Sequence, residues 1–438
     1  MDSRPNVFLL SVDSLRADAF ERAAAALAEA TGGTRFRTAV APACHTASSI
    51  PALATGSFVD SGGGGPPLPE RFRADGYETV LLTDNPLVAP AVGEATDRRT
   101  DGWLRLDERL PRAATGAAER AYFRAWPWLR RSGLLAPYYR SAGELGERAS
   151  SAVEAADTPV FCWVHYMDPH HPYEPPAVAD GIDAASDGAD RGGSGRGAAL
   201  APGEYRTAAR SRRLAVEGAG SAAGADLAAI RALYERTCDG VGYAVETLVE
   251  RLERSGAFDP ERDVLAVTAD HGECLDPQRG VFGHVPPASW ESLIRVPLVV
   301  ARPDWSVDAV DDQVSLLDLP TMVQPDGERE PSSFARRHAV TVAETLGEAG
   351  TVRGVRRADG EKLFGRRTAE GTAVVRTTVE GDEPGDPPTE RVQWVRQPDA
   401  AVDDPLAAPL ADRGGPVGDG PGRGGFDESQ LRALGYLE

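Results

Sequence analysis

The chain has 438 residues, of which 41% are hydrophobic, enough apolar material for one large core and a smaller second unit. Its formal net charge is −20 and no basic patch stands out, which argues against nucleic acid as a partner. No apolar run reaches the length of a membrane span and the opening Met-Asp-Ser-Arg-Pro carries no signal-peptide pattern, so a cytoplasmic protein is expected.

Asn6 to Val12 (NVFLLSV) reads as a short buried strand, near-continuous in apolar character as a central parallel strand requires. Residues 17–31 follow as an Ala-rich helix ended by Gly32-Gly33. Residues 48–56 read as a second helix stopping at Thr55-Gly56, and Gly62 to Gly65 as a flexible loop. Thr79 to Thr83 and Val160 to His165 are further buried strands, the latter entered through Pro159. Asp226 to Ser255 is a long amphipathic helix, with apolar residues at helical spacing from Leu227 to Leu252. Asp263 to Thr268 is a fourth strand and Val296 to Ala301 a fifth. Strands alternating with helices predict an α/β fold with a largely parallel sheet.

Two segments predict loose order: 178–224, rich in Gly, Ala, Ser and Asp, and 380–425, rich in Pro, Gly and Asp. Between them, residues 338–378 carry short alternating runs such as Ala373 to Thr378, which predict a small appended antiparallel unit. The expected organisation is a main unit over 1–325, with 178–224 as a flexible insertion, and a C-terminal subdomain over 326–438. Of 47 basic residues only Lys362 is a lysine. High-GC coding favours arginine by itself, and a salt-rich cytoplasm favours surface carboxylates; together they suggest a halophile. Cys44, Cys162, Cys238 and Cys274 form no CxxC pair and are expected as reduced thiols.

In open parallel sheets, sites form beyond the carboxyl ends of the strands. Asp13 follows the first strand; Asp270, His271 and Gly272 follow the fourth; His165, Asp168, His170 and His171 lie at or after the end of the third. Two carboxylates and one imidazole make a site suited to Mn²⁺, Mg²⁺, Ca²⁺ or Zn²⁺. A hydroxyl bound to such an ion loses its proton more readily and becomes a nucleophile.

The runs Val12 to Asp18 (VDSLRAD), Thr46 to Gly56, Asp168 to Tyr173 (DPHHPY), Thr268 to Glu273 (TADHGE), Gly283-His284 and Ile294 to Leu298 (IRVPL), in that order, resemble the sulfatase branch of the alkaline phosphatase superfamily, in a haloarchaeal type. The match covers roughly residues 5–325, and the close Leu431 to Glu438 (LRALGYLE) also resembles such chains. The resemblance implies an alkaline phosphatase-like, doubly wound, mostly parallel sheet flanked by helices, with a small C-terminal antiparallel subdomain. It implies one divalent metal held by Asp13, Thr46, Asp270 and His271. It makes Thr46, ten residues before Gly56, the nucleophile at a helix start, where free N–H groups favour an anionic ester. It gives His170 a leaving-group contact with a general-acid role, His284 an ester contact, and the binding of the anion to Arg16, His170 and His284.

The chain departs from the family at three places. Thr46 cannot become the formylglycine of sulfate-cleaving members, and Ile50 stands where Arg or His is usual. Ser14 stands where many members have a second Asp, and lysines that hold the anion elsewhere are missing. The reading is a metal-dependent sulfatase-like hydrolase acting on a sulfate or phosphate ester of a small anionic molecule or glycan. The alternatives are transfer of a phospho-group to a glycan or lipid-linked acceptor, and a non-catalytic binding protein. His165 reads as a packed histidine, His171 as solvent-facing, Arg16 with Asp18 as a brace of the metal loop, and Asn85 as a turn residue or a substrate contact. Trp103, Trp126, Trp128, Tyr138 and Tyr139 read as a hydrophobic lid rather than a sugar-stacking wall, because aromatics at irregular spacing are more often packing.

Overall fold

Six residues buried on both sides open the fold as β1 (Val7–Val12), and the computed structural model follows the chain from there. It describes residues 4–58, 65–92, 96, 98–101, 115–134, 137–175, 200–327, 329–345, 350–368, 371–380, 385–396, 405–407 and 417–418. Helix α1 (Ala17–Thr31) stops at Gly32, whose left-handed φ of 63° closes the helix by returning its N–H to Ala28. Strand β2 (Thr34–Val40) leads to α2 (Thr46–Thr55), which ends the same way on Gly56. Then come α3 (Leu68–Ala74), β3 (Glu78–Thr83), α4 (Val88–Val92), β4 (Arg98–Asp101) and α5 (Thr115–Arg131). Helix α6 (Ala142–Glu154) opens with a reciprocal cap between Ser141 and Glu144. It leads to β5 (Val160–Tyr166), α7 (Glu204–Glu217), α8 (Leu227–Ser255) and β6 (Val264–Ala269). A single turn, α9 (Glu291–Ile294), precedes β7 (Arg295–Val296), β8 (Leu298–Ala301) and β9 (Ala309–Ser315).

These strands form one sheet in the order β4-β3-β5-β1-β6-β8-β2-β7, with β9 beside β2. The five strands from β4 to β6 run parallel, so the carboxyl ends of β3, β5, β1 and β6 share one edge. Helices flank the sheet: α6 lies on β3 and β5, α8 packs on α6 and α1, and α1 on β8. Gly242 lets α8 approach α1, because a Cβ there would lie 2.8 Å from that of Ala23. A second, antiparallel sheet follows as β10 (His338–Glu344), β11 (Thr351–Arg357), β12 (Glu361–Thr368), β13 (Gly371–Glu380) and β14 (Thr389–Arg396). The α/β class, the helix-flanked sheet and the C-terminal antiparallel unit agree with the sequence reading.

Several elements differ from it. The run Val296 to Ala301 is two strands divided at Pro297, which has no N–H for a ladder, and β8 runs antiparallel to β6. An apolar run carries no mark of its direction. Strands β2 and β9 went unread because polar residues interrupt both. Within 178–224, residues 204–217 form α7, whose buried face is Ala208, Ser211, Arg212, Leu214 and Ala215. Small and charged residues there hide a helical face from hydropathy. Within 380–425, Thr389–Arg396 adds a strand to the second sheet. The rest of those segments, Gly62 to Gly64, Trp103 and Leu431 to Glu438 lie largely or wholly outside the described residues.

The second sheet braces the stretch that leads into α2. The N–H of Val342 reaches Pro42 O at 2.8 Å, that of Glu344 reaches Ser48 Oγ at 3.0 Å, and His45 Nε2 donates to Glu344 O at 3.0 Å. Beneath them a small apolar core joins Val40, Ala43 and Cys44 to Ala339, Ala343 and Phe364. Beside it buried Glu291 accepts Arg356 Nη2 at 2.8 Å and Lys362 Nζ at 3.1 Å, and Lys362 also bonds Glu390 Oε1 at 2.5 Å. All four cysteines are buried and free of disulfides. Among the described residues no helix is long and apolar enough to cross a membrane.

Candidate active site

Four neighbouring segments deliver their polar groups to the shared strand edge. Asp13 leaves β1, Asn85 follows β3, His165 closes β5, and Asp270 and His271 leave β6. Thr46 arrives separately, as the first residue of α2. All of these side chains are buried. Thr46 Oγ1 lies 3.1 Å from Asp13 Oδ2 and 3.2 Å from His271 Nε2. Ser49, one turn along α2, donates to Asp270 O at 2.5 Å and ties the helix to β6. Ile50 lies in the main hydrophobic core, where an Arg or His would be a buried charge.

Hydrogen bonds fix how these groups face. His271 Nδ1 lies 2.8 Å from Gly272 O, and a carbonyl only accepts. The ring proton therefore sits on Nδ1, and Nε2 turns its lone pair toward Thr46 and Asp13. Asp13 Oδ1 accepts from Ser14 Oγ at 2.8 Å, and Oδ2 accepts from Asn85 Nδ2 at 2.9 Å. His165 Nε2 lies 3.5 Å from Asp13 Oδ2, and its Nδ1 meets Ser11 Oγ at 2.8 Å. Burial alone would raise the Asp13 carboxyl; the imidazoles of His170, His165 and His271 outweigh it and hold Asp13 well below the usual range. Burial, then the Asp13 charge, pushes Asp270 well above it.

Asp13, Asp270 and His271 offer one ligand atom each, all within 4.8 Å of one another. Asp270 Oδ2 is buried and makes no hydrogen bond among the described residues. Two crowded carboxylates, an inward lone pair and an orphaned oxygen fit a divalent cation, which would relieve all three.

A second group faces the first. The rings of His271 and His284 are 4.6 Å apart, those of His170 and His284 5.3 Å, and those of His171 and His284 5.7 Å and nearly parallel. His170 Nδ1 bonds His171 O at 2.9 Å and Tyr139 Oη at 2.8 Å. That leaves a lone pair on His170 Nε2, which has no hydrogen-bond partner among the described residues. Burial pushes His170 and His284 down to about 3. The expected general-acid role for His170 needs a proton on Nε2, and these bonds place it on Nδ1.

Several expectations change at this point. His171 is 2% exposed, not solvent-facing. His165 is turned to Asp13, where the sequence reading made it a packed histidine. The signal was present in two neighbouring apolar strands: Ser11 and His165 are register partners, a buried polar pair. Arg16 is held by Asp18 through Nε at 2.9 Å and Nη2 at 2.5 Å, which makes it a brace rather than an open charge for substrate. Asp168 caps α6 by accepting Ala142 N at 3.0 Å. Trp126 is fully buried and Trp128 is 65% exposed, so the aromatic segment is no single wall. Sequence reasoning passed over Arg212, which donates from α7 to His171 Nδ1 at 3.3 Å.

The family model described as Sulfatase matches residues 5–323. The chain belongs to the sulfatase family. This sulfatase-family protein shares its fold with the phosphonate monoester hydrolase of Agrobacterium radiobacter, at 16% identity and a TM-score of 0.54 over 86% of this chain and 89% of that one. The phosphonate monoester hydrolase from Silicibacter pomeroyi gives the same identity and TM-score, over 94% of this chain and 93% of that one. BT4656, solved in complex with its substrate D-glucosamine-2-N,6-O-disulfate, gives 15% identity and a TM-score of 0.53 over 82% and 88%. No curated protein matches the sequence. The family places the protein among the hydrolases of the alkaline phosphatase superfamily.

Proposed function

We propose that this protein is a metal-dependent sulfatase-like hydrolase that opens a sulfate or phosphate ester through Thr46. The observation that carries the reading is the seat of Thr46 Oγ1, 3.1 Å from Asp13 Oδ2 and 3.2 Å from His271 Nε2, on three segments distant in sequence. Asp13, Asp270, His271 and Thr46 would hold one divalent cation, which would lower the proton affinity of the Thr46 hydroxyl and neutralise charge on the ester.

Asp13 Oδ2 stands where it can take the Thr46 proton. Thr46 Oγ then bonds to sulfur or phosphorus as the bond to the ester oxygen breaks; that oxygen takes a proton from solvent and leaves as the alcohol, and the group is held as a Thr ester. Water then bonds to sulfur or phosphorus as the bond to Thr46 Oγ breaks, a proton of that water restores the hydroxyl, and the His170 Nε2 lone pair can accept a hydrogen bond from it. His284 faces the same space. The N–H groups at the start of α2 add partial positive charge beside the anion. The intact set of Asp13, Thr46, Asp270 and His271 speaks against a non-catalytic relative. An acidic, lysine-poor surface fits action at high salt, and residues 1–325 are read as the catalytic unit with 326–438 as its companion.

The test is turnover of p-nitrophenyl phosphate, bis-p-nitrophenyl phosphate and p-nitrophenyl sulfate in molar KCl with Mn²⁺. Thr46→Ala is expected to lower kcat by about a thousandfold or more, as losing a nucleophile does. Equal turnover in that variant removes Thr46 from the mechanism.

A further inference from the structure

Helix α5 ends in a glycine-closed cap whose ordinary apolar contact is not made. The N–H of Gly133 bonds Arg130 O at 3.0 Å and that of Leu134 bonds Leu129 O at 3.0 Å, with Gly133 at a left-handed φ of 71°. Caps of this kind ordinarily lay the residue after the glycine on the last turn of the helix. Leu134 instead stays 66% exposed, and Trp128, in the last turns of the same helix, is 65% exposed. Among the described residues these are the two most exposed large apolar side chains; the next, Val395, is at 47%. Single exposed apolar residues are ordinary, but these two share one helix end.

They also share a charge pattern. Arg124, Trp128 and Arg131 stand at i, i+4 and i+7, one stripe of the helix. Arg124 and Arg131 are exposed and form no ion pair among the described residues, whereas Arg130 beside them is held by Glu174. The stretch from Arg120 to Gly143 contains five arginines and no Asp or Glu, in a chain where acids outnumber bases by 67 to 47. This helix end is tied to the wall that carries His170. Glu174 accepts Arg130 Nε at 2.7 Å and Tyr138 N at 2.9 Å, and Tyr139 Oη bonds His170 Nδ1 at 2.8 Å.

We propose that the end of α5 docks on an anionic lipid surface, with Trp128 and Leu134 entering the headgroup region and Arg124 and Arg131 meeting the lipid phosphates. Tryptophan, with an apolar body and one polar N–H, suits that depth, and the arginine fork matches phosphate oxygens. A stripe of arginines beside apolar side chains is the pattern of an element lying in a membrane interface. A protein partner fits less well, since two side chains supply well under the ~800 Å² that a stable interface takes from each side. The net charge of −20 repels an anionic surface at low salt. In molar salt the screening length is about 3 Å, so only the groups that touch the lipid count. The inference goes beyond the reading of Thr46 and stands apart from it, because docking needs no turnover.

The test is co-sedimentation of the full chain with phosphatidylglycerol vesicles, set against phosphatidylcholine vesicles, in about 1 M KCl. The wild type is expected to partition onto the anionic vesicles severalfold better, and brominated lipid is expected to quench part of its tryptophan fluorescence. Trp128→Ser combined with Leu134→Ser should lower that partition about tenfold or more, and Arg124→Gln combined with Arg131→Gln severalfold. All four positions are exposed, so both double variants are expected to keep the wild type's circular dichroism. A wild type that ignores the anionic vesicles, or binds both kinds equally, overturns the proposal without any variant. Partition unchanged in either folded double variant overturns it too. A wild-type dimer in sedimentation velocity that Trp128→Ser with Leu134→Ser takes apart would assign the helix end to a second copy and also overturn it. None of these outcomes depends on whether Thr46→Ala is active.

Discussion

Asp13 is held from four directions: by Ser14, Asn85, Thr46 and, 3.5 Å away, His165. Each of those bonds spends a lone pair or fixes a rotamer, so the carboxylate is set before any cation arrives. Asn85→Ala leaves Asp13 Oδ2 one donor short and is expected to weaken Mn²⁺ binding about tenfold to hundredfold, read by metal titration. An unchanged affinity would mean Asn85 serves only its own turn, where its Oδ1 accepts Leu87 N at 2.9 Å. Asp13, Thr46, Asp270 and His271 were legible in the sequence because each stands beside a strand or helix end within a recognisable run. His165, His171 and Arg212 were not. A polar residue in an apolar strand reads as a packing exception until its neighbour across the ladder is known. An arginine on a helix of small residues reads as surface until its face is seen to be buried.

Among the elements, α8 does more than cover the sheet. Tyr234 Oη donates to Ser14 O at 2.8 Å and accepts Arg16 N at 3.0 Å, so one phenol pins both ends of the turn after Asp13. Ser14 sits there at a φ of 60°, a left-handed conformation that serine seldom adopts and that this pinning helps hold. Tyr234→Phe strands a buried N–H and a buried carbonyl, and is expected to cost about 2–4 kcal/mol in urea unfolding. It should also weaken metal binding several-fold, since the turn carries Asp13. A loss of stability without any loss of metal affinity would show that the turn keeps its shape alone. Long periodic elements such as α8 and α1 were read from the sequence nearly to their ends, because glycines mark the stops. Strand direction was not, since β6 and β8 are both almost wholly apolar and run in opposite senses.

For the whole molecule, the catalytic edge leans on the second sheet through Pro42, His45 and Ser48, and the joint beside them is built on buried charge. Glu291 is fully buried; burial would raise its carboxyl, but Arg356 and Lys362 outweigh that and bring it down to about 2 from an ordinary 4.5. A depressed acid stabilises the fold above its unfolded pKa and loses that contribution as pH falls through its folded one. Stability should therefore decline between about pH 4.5 and 2, with about 3 kcal/mol of the loss belonging to Glu291. Glu291→Gln should cost about 3–5 kcal/mol near neutrality, because it leaves buried Arg356 without its anion and Lys362 with Glu390 alone, and should flatten the acid limb of the profile. An acid limb as steep as the wild type's would place the titrating group elsewhere.

Lys362 has a use that its burial creates. It is the sole lysine of the sequence and none of its surface is exposed, so in the closed molecule its amine is shielded from solvent reagents. An acylating label should attach to it only when the two sheets part. The rate of that single modification, followed by mass spectrometry with and without Mn²⁺, would therefore clock the opening of the joint and reveal whether loading the catalytic edge tightens it.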